Sequence, residues 1–121
     1  PQPLPVILWT VRQAAQALAS LHQASWLHGD VKPENLFMSE QGHLTLLDLG
    51  FASQQGSPKP SAFTGTPRYA APELLDDTVT SITAASDVYS LGRVLLELLA
   101  WSSPTIKNQA TIEPVADLIT E

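Results

Sequence analysis

Residues 28–37, with the sequence HGDVKPENLF, hold polar side chains between a periodic apolar segment and a run of leucines. Asp30 and Asn35 lie five residues apart, and Asp48 follows the next apolar run. Two carboxylates and an amide are hard oxygen ligands, which suit Mg²⁺ bound together with phosphate oxygens. Lys32 adds a mobile positive charge two residues from Asp30, where it could meet a phosphoryl group during transfer. The residue types and their spacing therefore indicate magnesium-assisted chemistry on a phosphate.

The segment before this polar stretch has the periodicity of an amphipathic helix. We predict a helix from about Val6 to Ala24, and Pro5 suits its first turn because a proline there loses no hydrogen bond. The apolar positions at steps of four and three are Ile7, Val11, Ala14, Leu18 and Leu21.

Two short apolar runs follow the polar stretch. They read NLFM and HLTLL, with the Gly-containing turn SEQG between them, and this pattern predicts a β-hairpin. Residues 50–68 are rich in Gly, Ser, Pro and Gln and keep no hydrophobic period. We therefore predict an ordered or mobile loop there.

A second long helix is predicted from residues 86–101, SDVYSLGRVLLELLAW, with Ser86 as its N-cap and Asp87 in its first turn. Apolar residues occur on nearly every side of this helix, which is typical of a helix in the middle of a domain. Pro104 predicts its end, and Pro114 predicts the start of a last helix.

Composition limits the classes of protein to consider. The chain has 121 residues, of which 44% are hydrophobic, so we expect one packed domain over residues 1–121. It has no cysteine, which excludes disulfides and thiolate metal sites and fits a cytoplasmic location. The formal charge is −6, and the clustered Lys and Arg of a nucleic-acid-binding surface are missing. We expect no membrane-spanning segment and no signal peptide.

Four motifs in order give the chain a family resemblance. They are HGDVKPEN at 28–35, DLG at 48–50, GTPRYAAPE at 65–73 and DVYSLG at 87–92. Together they resemble the catalytic loop, the metal-binding D-F-G position, the peptide-positioning segment and the central helix of a serine/threonine protein kinase. The resemblance implies a mainly α fold within the α+β class: a kinase C-terminal lobe with a short β-hairpin, from which the N-terminal lobe is absent.

The resemblance also implies roles for individual residues. Asp30 would accept or orient the proton of the attacking hydroxyl group, and Lys32 would stabilise charge on the γ-phosphoryl group. Asn35 and Asp48 would hold two Mg²⁺ ions that bridge the phosphates of ATP. Thr66 would help position the substrate by hydrogen bonding near Asp30 and Lys32.

Further positions match supporting residues of the family. Phe37 would lie beneath the adenine, while His28 and Leu49 would pack in the internal column that joins the two lobes. Asp87 would cap the backbone of the catalytic loop, and Glu73 would make a structural ion pair. The usual arginine partner of that glutamate has no counterpart after Arg93 in this sequence. We assign no function to the other two histidines, His22 and His43.

Gly29 departs from the pattern, because many kinases carry an arginine there. The triplet HGD also occurs in small-molecule phosphotransferases that act on aminoglycosides or choline, which leaves such an enzyme as an alternative. Lys32 and residues 65–73 favour a protein substrate, since those enzymes usually lack both features. Serine or threonine is favoured as the acceptor over tyrosine, because tyrosine kinases typically place an arginine farther along this loop.

The sequence contains no Gly-rich phosphate loop of the kinase type and no strand lysine to hold ATP. We therefore expect a fragment of a longer kinase that needs a missing N-terminal lobe and is inactive alone. The alternative is a non-catalytic kinase-like binding module. The presence of Asp30, Lys32, Asn35 and Asp48 together argues against that alternative, since a scaffold has no chemical need for all four.

Overall fold

Two long helices and four short strands form most of the regular structure in the computed structural model, which describes residues 4–60, 63 and 65–102. In chain order the elements are α1 (Leu4–Gln23), β1 (Trp26–Leu27), β2 (Leu36–Met38), β3 (Leu44–Leu46), β4 (Ser53–Gln54) and α2 (Ala84–Ser102). Single turns of 3₁₀ helix lie at Pro33–Asn35, Leu49–Phe51, Pro67–Tyr69 and Pro72–Leu74. The chain is mainly helical, as predicted.

Helix α1 supplies an apolar face on which β1, β3 and α2 pack. It begins at Leu4 and ends at Gln23, close to the predicted bounds. Of the predicted stripe, Ile7, Ala14 and Leu18 are buried. The core cluster consists of Ala14, Leu18, Val31 and Leu91. Val31 directly follows Asp30 in the sequence. Because its side chain belongs to the core cluster, it anchors the polar stretch in the core.

The predicted β-hairpin is present as the antiparallel pair β2 and β3. Phe37 pairs with Thr45 on the outward face, while Leu36, Leu44 and Leu46 pack against the core cluster. This follows from the alternation of side chains along a strand. The turn is held by α1, since Trp9 Nε1 donates a hydrogen bond of 3.0 Å to the carbonyl oxygen of Gly42.

Residues 50–68 contain more regular structure than the predicted loop. Strand β4 pairs antiparallel with β1, with Leu27 opposite Ser53. Farther along, Pro58 forms an isolated antiparallel bridge with Ser81. The sequence did not indicate these short pairings, because strands of two residues and single bridges leave no hydrophobic period.

Helix α2 begins at Ala84, earlier than predicted. The cap is therefore not Ser86: the side-chain oxygen of Thr83 accepts a hydrogen bond of 3.3 Å from the backbone nitrogen of Ala85. Asp87 lies in the first turn, as predicted. The helix is also less enclosed than its sequence predicts, since the side chain of Val88 is 60% exposed.

The positions predicted to end α2 and to open a last helix, Pro104 and Pro114, lie outside the described residues. Neither of the two long helices in the described ranges is apolar enough over a sufficient length to cross a membrane.

Candidate active site

Asp30 is the centre of a buried hydrogen-bonded cluster. It is only 6% exposed, and Thr66 Oγ1 donates a hydrogen bond of 2.9 Å to its Oδ1. Asn35 Nδ2 donates to the Asp30 carbonyl oxygen at 2.7 Å, and Lys32 Nζ lies 3.5 Å from Asp30 Oδ2. A buried carboxylate is unfavourable unless hydrogen bonds and opposite charge compensate it. The cluster supplies both.

A chain of donors links Lys32 to Asp30 through Thr66. Lys32 Nζ donates to Thr66 Oγ1 at 2.9 Å, and the hydroxyl group donates in turn to the Asp30 carboxylate. Only this direction satisfies all three groups, because an ammonium donates, a carboxylate accepts and a hydroxyl does both. The four predicted residues Asp30, Lys32, Asn35 and Thr66 are thus brought together.

His28 is fully buried and uses both nitrogens of its ring. The backbone nitrogen of Asp30 donates to His28 Nδ1 at 3.1 Å, and His28 Nε2 lies 2.9 Å from the carbonyl oxygen of Leu47. A carbonyl can only accept, so the geometry assigns the proton to Nε2 and leaves Nδ1 as an acceptor. His28 therefore links residues 28–35, which we call the catalytic loop after the resemblance, to the end of β3.

Asp87 holds the start of the catalytic loop from helix α2. Its Oδ2 accepts a hydrogen bond of 2.8 Å from the backbone nitrogen of His28, and its Oδ1 accepts one of 3.0 Å from Gly29. The side chain therefore caps the backbone of the loop, as the resemblance implied, and not its own helix. A carboxylate in a first helical turn is also stabilised by the helix dipole.

His22 was assigned no function from the sequence, yet it contacts this same carboxylate. Its Nε2 lies 2.8 Å from Asp87 Oδ2, across 65 residues of chain. No local pattern could have indicated this pair, because the two residues meet only when α1 and α2 pack. The other histidine without an assigned role, His43, is exposed.

The second predicted carboxylate, Asp48, is placed differently. It is exposed and has left-handed backbone angles, with φ 58° and ψ 81°. Its Oδ1 accepts a hydrogen bond of 3.1 Å from the backbone nitrogen of Gly50. A backbone bond of 2.8 Å from Leu47 to the carbonyl oxygen of Asn35 brings the end of β3 beside the catalytic loop.

Apolar side chains surround Asp48 along the chain, and they are exposed. We call Phe37 and the stretch Leu47–Phe51 the hairpin edge. Phe37 is 55% exposed and Leu49 is 56% exposed. These are the positions predicted to lie beneath adenine and in the column between lobes. Exposed apolar side chains that lie in a group are typical of surfaces that bind a ligand or another part of a protein.

Residues 65–73, which we call the peptide-positioning segment after the resemblance, are connected to α2 by a cluster that the sequence did not indicate. Tyr69 Oη donates a hydrogen bond of 2.6 Å to Glu97 Oε2, and Arg68 Nη2 lies 2.6 Å from Glu97 Oε1. Burial, together with the hydrogen bond and the negative charge of Glu97, raises the pKa of Tyr69 far above its ordinary value. The phenol therefore remains a neutral donor.

Glu73, at the end of this segment, contacts α2 through its side chain. Its Oε2 accepts a hydrogen bond of 2.8 Å from Ser86 Oγ. Within the described ranges its partner is thus a hydroxyl group rather than the cation predicted. Ser86 was predicted to cap the helix, and its side chain instead donates to Glu73.

Comparison with known proteins identifies the family. A family model described as the protein kinase domain matches residues 7–119. The chain belongs to the protein kinase family. This confirms the resemblance inferred from the four motifs.

Similar proteins include serine/threonine kinases from bacteria and eukaryotes. The serine/threonine-protein kinase AfsK of Streptomyces coelicolor is 35% identical over 100% of this chain and 15% of its own length. A cGMP-dependent protein kinase of Drosophila melanogaster is 40% identical over 74% of this chain and 9% of its own length. The MAP kinase kinase MKK1/SSP32 of Saccharomyces cerevisiae is 36% identical over 82% of this chain and 20% of its own length. The chain thus spans a small part of each relative.

The departure from the kinase pattern at Gly29 has a structural reason. Gly29 has a φ of +87°, which side chains of L-residues rarely adopt. A Cβ atom there would also lie 2.6 Å from the carbonyl oxygen of Phe51. An arginine could not occupy this position without moving the backbone of residue 51. The conformation of this loop therefore requires a glycine at position 29.

The donor set of a kinase magnesium site can be compared with the residues present. Asn35 uses its amide nitrogen on Asp30, which leaves its side-chain oxygen as the atom that could bind a metal. Asp48 presents an exposed carboxylate beside the same loop. The described residues contain no group of three or more His, Cys, Asp or Glu side chains arranged for a metal. A magnesium ion that takes one or two protein ligands and several phosphate or water oxygens needs no such group. The residues fit Mg²⁺.

Proposed function

We propose that this chain is part of the C-terminal lobe of a serine/threonine protein kinase, and that the intact protein transfers the γ-phosphoryl group of ATP to protein hydroxyl groups. The observation that carries the proposal is the buried cluster of Asp30, Lys32, Asn35 and Thr66. It combines a proton acceptor and a cation with a contact to the peptide-positioning segment. Membership of the kinase family supports the same reaction class.

The chemistry assigned to Asp30 is to orient the substrate hydroxyl group and accept its proton. The hydroxyl oxygen then forms a bond to the γ-phosphorus as the bond from that phosphorus to the ADP oxygen breaks. Lys32, held by Thr66, places positive charge where negative charge develops on the phosphoryl oxygens. Since Thr66 belongs to the peptide-positioning segment, the placement of the peptide and of the acceptor carboxylate are mechanically coupled.

Asn35 and Asp48 are the residues proposed to hold magnesium. When bound, Mg²⁺ supplies neutralisation of the phosphate charges. Asn35 also keeps Asp30 in place through the carbonyl oxygen of that residue. Phe37 is proposed to support the adenine ring, which its exposure on the outward face of the hairpin allows.

The rest of the catalytic machinery is proposed to lie elsewhere in a longer protein. The relatives are several times longer than this chain, and the hairpin edge exposes the apolar side chains that an N-terminal lobe would cover. Residues 1–121 are therefore proposed as a partial kinase domain that is inactive alone. A cytoplasmic location, predicted from the absence of cysteine, belongs to the same proposal.

The contact between Thr66 and Asp30 favours a protein substrate over a small molecule. It joins the candidate proton acceptor directly to the peptide-positioning segment, which a small-molecule phosphotransferase does not need. A non-catalytic binding module is disfavoured by the same cluster, because burying Asp30 and orienting Lys32 toward it has no purpose in binding alone.

The test is radiolabelled phosphate transfer by the intact protein, with ATP, Mg²⁺ and a mixture of Ser- and Thr-containing peptides. Asp30→Asn should reduce kcat by about 10²–10⁴-fold, the range typical for loss of a general base. Glu40→Gln is the matched control, because Glu40 is an exposed acid in the hairpin turn. It should leave kcat unchanged. An Asp30→Asn variant with parental kcat and parental circular dichroism would overturn the proposal.

A further inference from the structure

Lys59 lies outside the catalytic cluster, and its side chain ends among main-chain carbonyl groups. Its Nζ donates to the carbonyl oxygen of Glu73 at 3.1 Å and lies 3.5 Å from that of Leu74. It also donates to the carbonyl oxygen of Asp76. An ammonium group has three donors and no acceptor, so three carbonyl oxygens match its capacity.

The backbone of Lys59 contacts the same part of the chain. Its nitrogen donates a hydrogen bond of 2.7 Å to the carbonyl oxygen of Thr80, and the preceding residue, Pro58, forms a bridge with Ser81. Main chain and side chain therefore fasten one position to residues 73–81. Two kinds of contact at one residue make an anchor rather than a chance surface approach.

The carbonyl groups bound by Lys59 lie at the end of a helical turn and just beyond it. Glu73 and Leu74 belong to the 3₁₀ turn Pro72–Leu74, and the carbonyl oxygen of Glu73 also accepts a longer backbone hydrogen bond of 3.4 Å from Asp76. Cationic side chains often satisfy such carbonyl groups. Charge-assisted hydrogen bonds are also stronger than those between neutral groups.

These contacts complete the attachment of the peptide-positioning segment at both ends. At its start, Thr66 is bonded to Lys32 and Asp30 of the catalytic loop. At its end, the carbonyl oxygen of Glu73 accepts a hydrogen bond from Lys59, and the carboxylate of Glu73 accepts one from Ser86. None of these four contacts uses a phosphate group.

Gly29 cannot supply an anchor of a different kind. An arginine at that position could pair with a phosphate on the preceding loop and so fix it, whereas glycine has no side chain to do so. Because the carbonyl oxygen of Phe51 lies so close, the loop cannot accommodate an arginine at position 29 unless the backbone of residue 51 moves.

We propose that Lys59 is a positioning residue that holds the peptide-positioning segment in its binding geometry and makes phosphorylation of the loop at residues 57–64 unnecessary. The proposal rests on the proposed kinase function. It concerns the binding of the protein substrate, since the residues that Lys59 holds are not those assigned to ATP or to Mg²⁺.

The test compares Lys59→Met, Lys59→Arg and a control, Arg12→Met, in the intact protein after phosphatase treatment. Methionine keeps much of the aliphatic stem and removes the ammonium group, and Arg12 is an exposed cation on α1. For Lys59→Met the KM of a peptide substrate should rise about tenfold or more, because a charge-assisted anchor is lost. The KM of ATP should change less than about twofold, and arginine should restore most of the peptide KM.

Hydrogen exchange gives a second measurement that does not depend on transfer. The amide of Lys59, which donates to the carbonyl oxygen of Thr80, should exchange faster in Lys59→Met and at the parental rate in Arg12→Met. Faster exchange with an unchanged peptide KM would show that Lys59 only stabilises the fold, and would overturn the proposal. Unchanged exchange and unchanged KM would overturn it as well.

A third variant keeps the proposal testable if Lys59→Met does not fold. Ser57, Ser61 and Thr64 are changed together to alanine, which removes acceptors for phosphate and leaves Lys59 in place. A peptide KM within about twofold of the parent supports the proposal, and a rise of about tenfold or more overturns it. An intact parent protein that transfers no phosphate to any peptide would overturn the proposed function itself. A parent that transfers normally, with Lys59→Met equally active, would overturn the role of Lys59 alone.

Discussion

The catalytic loop and the hairpin edge each carry one of the two carboxylates assigned to phosphoryl transfer, but they are organised differently. In the catalytic loop, Asp30 is 6% exposed and accepts a hydrogen bond from the side chain of Thr66, which is distant in the sequence. At the hairpin edge, Asp48 is exposed and accepts a hydrogen bond from Gly50, only two residues away. Long-range contacts arrange the first, and local backbone geometry arranges the second.

This difference indicates which part of the site the chain organises by itself. Preorganised groups need no rearrangement when the substrate arrives, and this is where much of the rate enhancement of such sites originates. The catalytic loop meets that condition through Asp87, His28 and Thr66. The hairpin edge, with exposed Phe37 and Leu49, has the properties of a surface that is completed by a further partner. Substitutions in the two regions should therefore affect the free energy of unfolding very differently.

The largest effect is expected for Asp87→Ala. It leaves the backbone nitrogens of His28 and Gly29 without their acceptor in a buried environment. We expect a loss of about 3 kcal/mol in the free energy of unfolding, measured by urea denaturation. Asp77→Ala, at an exposed acid, should change it by less than about 0.5 kcal/mol. Equal losses in the two variants would show that Asp87 contributes no more to the free energy of unfolding than an exposed acid does.

A smaller but clear loss is expected for Gly29→Ala. The added Cβ atom requires a rare φ and a displacement of the Phe51 carbonyl group, which together should cost about 2 kcal/mol. Gly56→Ala separates the two causes. Gly56 has a similar φ of +86°, but its added Cβ atom meets nothing within 4 Å. This variant should lose only about 1 kcal/mol. If both variants lost the same amount in thermal denaturation, the contact with Phe51 would not matter.

Tyr69→Phe should cost about 1 kcal/mol, since it removes one buried hydrogen bond to Glu97 and leaves Arg68 beside that carboxylate. The raised pKa of Tyr69 also predicts a pH dependence. Below the unfolded-state pKa of about 10 the phenol is neutral in both states. Above it, only the unfolded chain ionises, so the stability that the neutral phenol contributes is lost as pH rises. Urea denaturation at pH 9 to 11 should show a steeper fall for the parent than for Tyr69→Phe.

The smallest effect on stability is expected at the hairpin edge. Asp48→Ala should change the free energy of unfolding by less than about 0.5 kcal/mol, because the side chain is exposed. In the intact protein the same change should abolish most phosphoryl transfer, since Asp48 is proposed to hold magnesium. A variant that was destabilised as strongly as Asp87→Ala would contradict the distinction between the two regions.

The predictions from sequence succeeded where information is local. The stripe of α1 and the alternation of β2 and β3 are periodic patterns that follow from the geometry of each element. The pairs His22–Asp87 and Tyr69–Glu97 join residues 65 and 28 positions apart, and no local pattern specifies them. The spacing of the catalytic loop motif indicated which residues meet at Asp30. It did not indicate how Asp48 would differ in exposure, which depends on packing.

The hydrogen bonds from His28 and Gly29 to Asp87 also have a consequence for the order of folding. They close loops of 59 and 58 residues, whereas α1 and the hairpin form through contacts near in sequence. Bringing distant segments together costs chain entropy before any contact compensates for it, so such pairings form late. We therefore expect a growing chain to contain Asp30, Lys32 and Asn35 long before their loop is arranged. The loop would acquire its shape only when α2 emerges and docks, so the arrangement around Asp30 would be completed only after residues 84–102 have been synthesised.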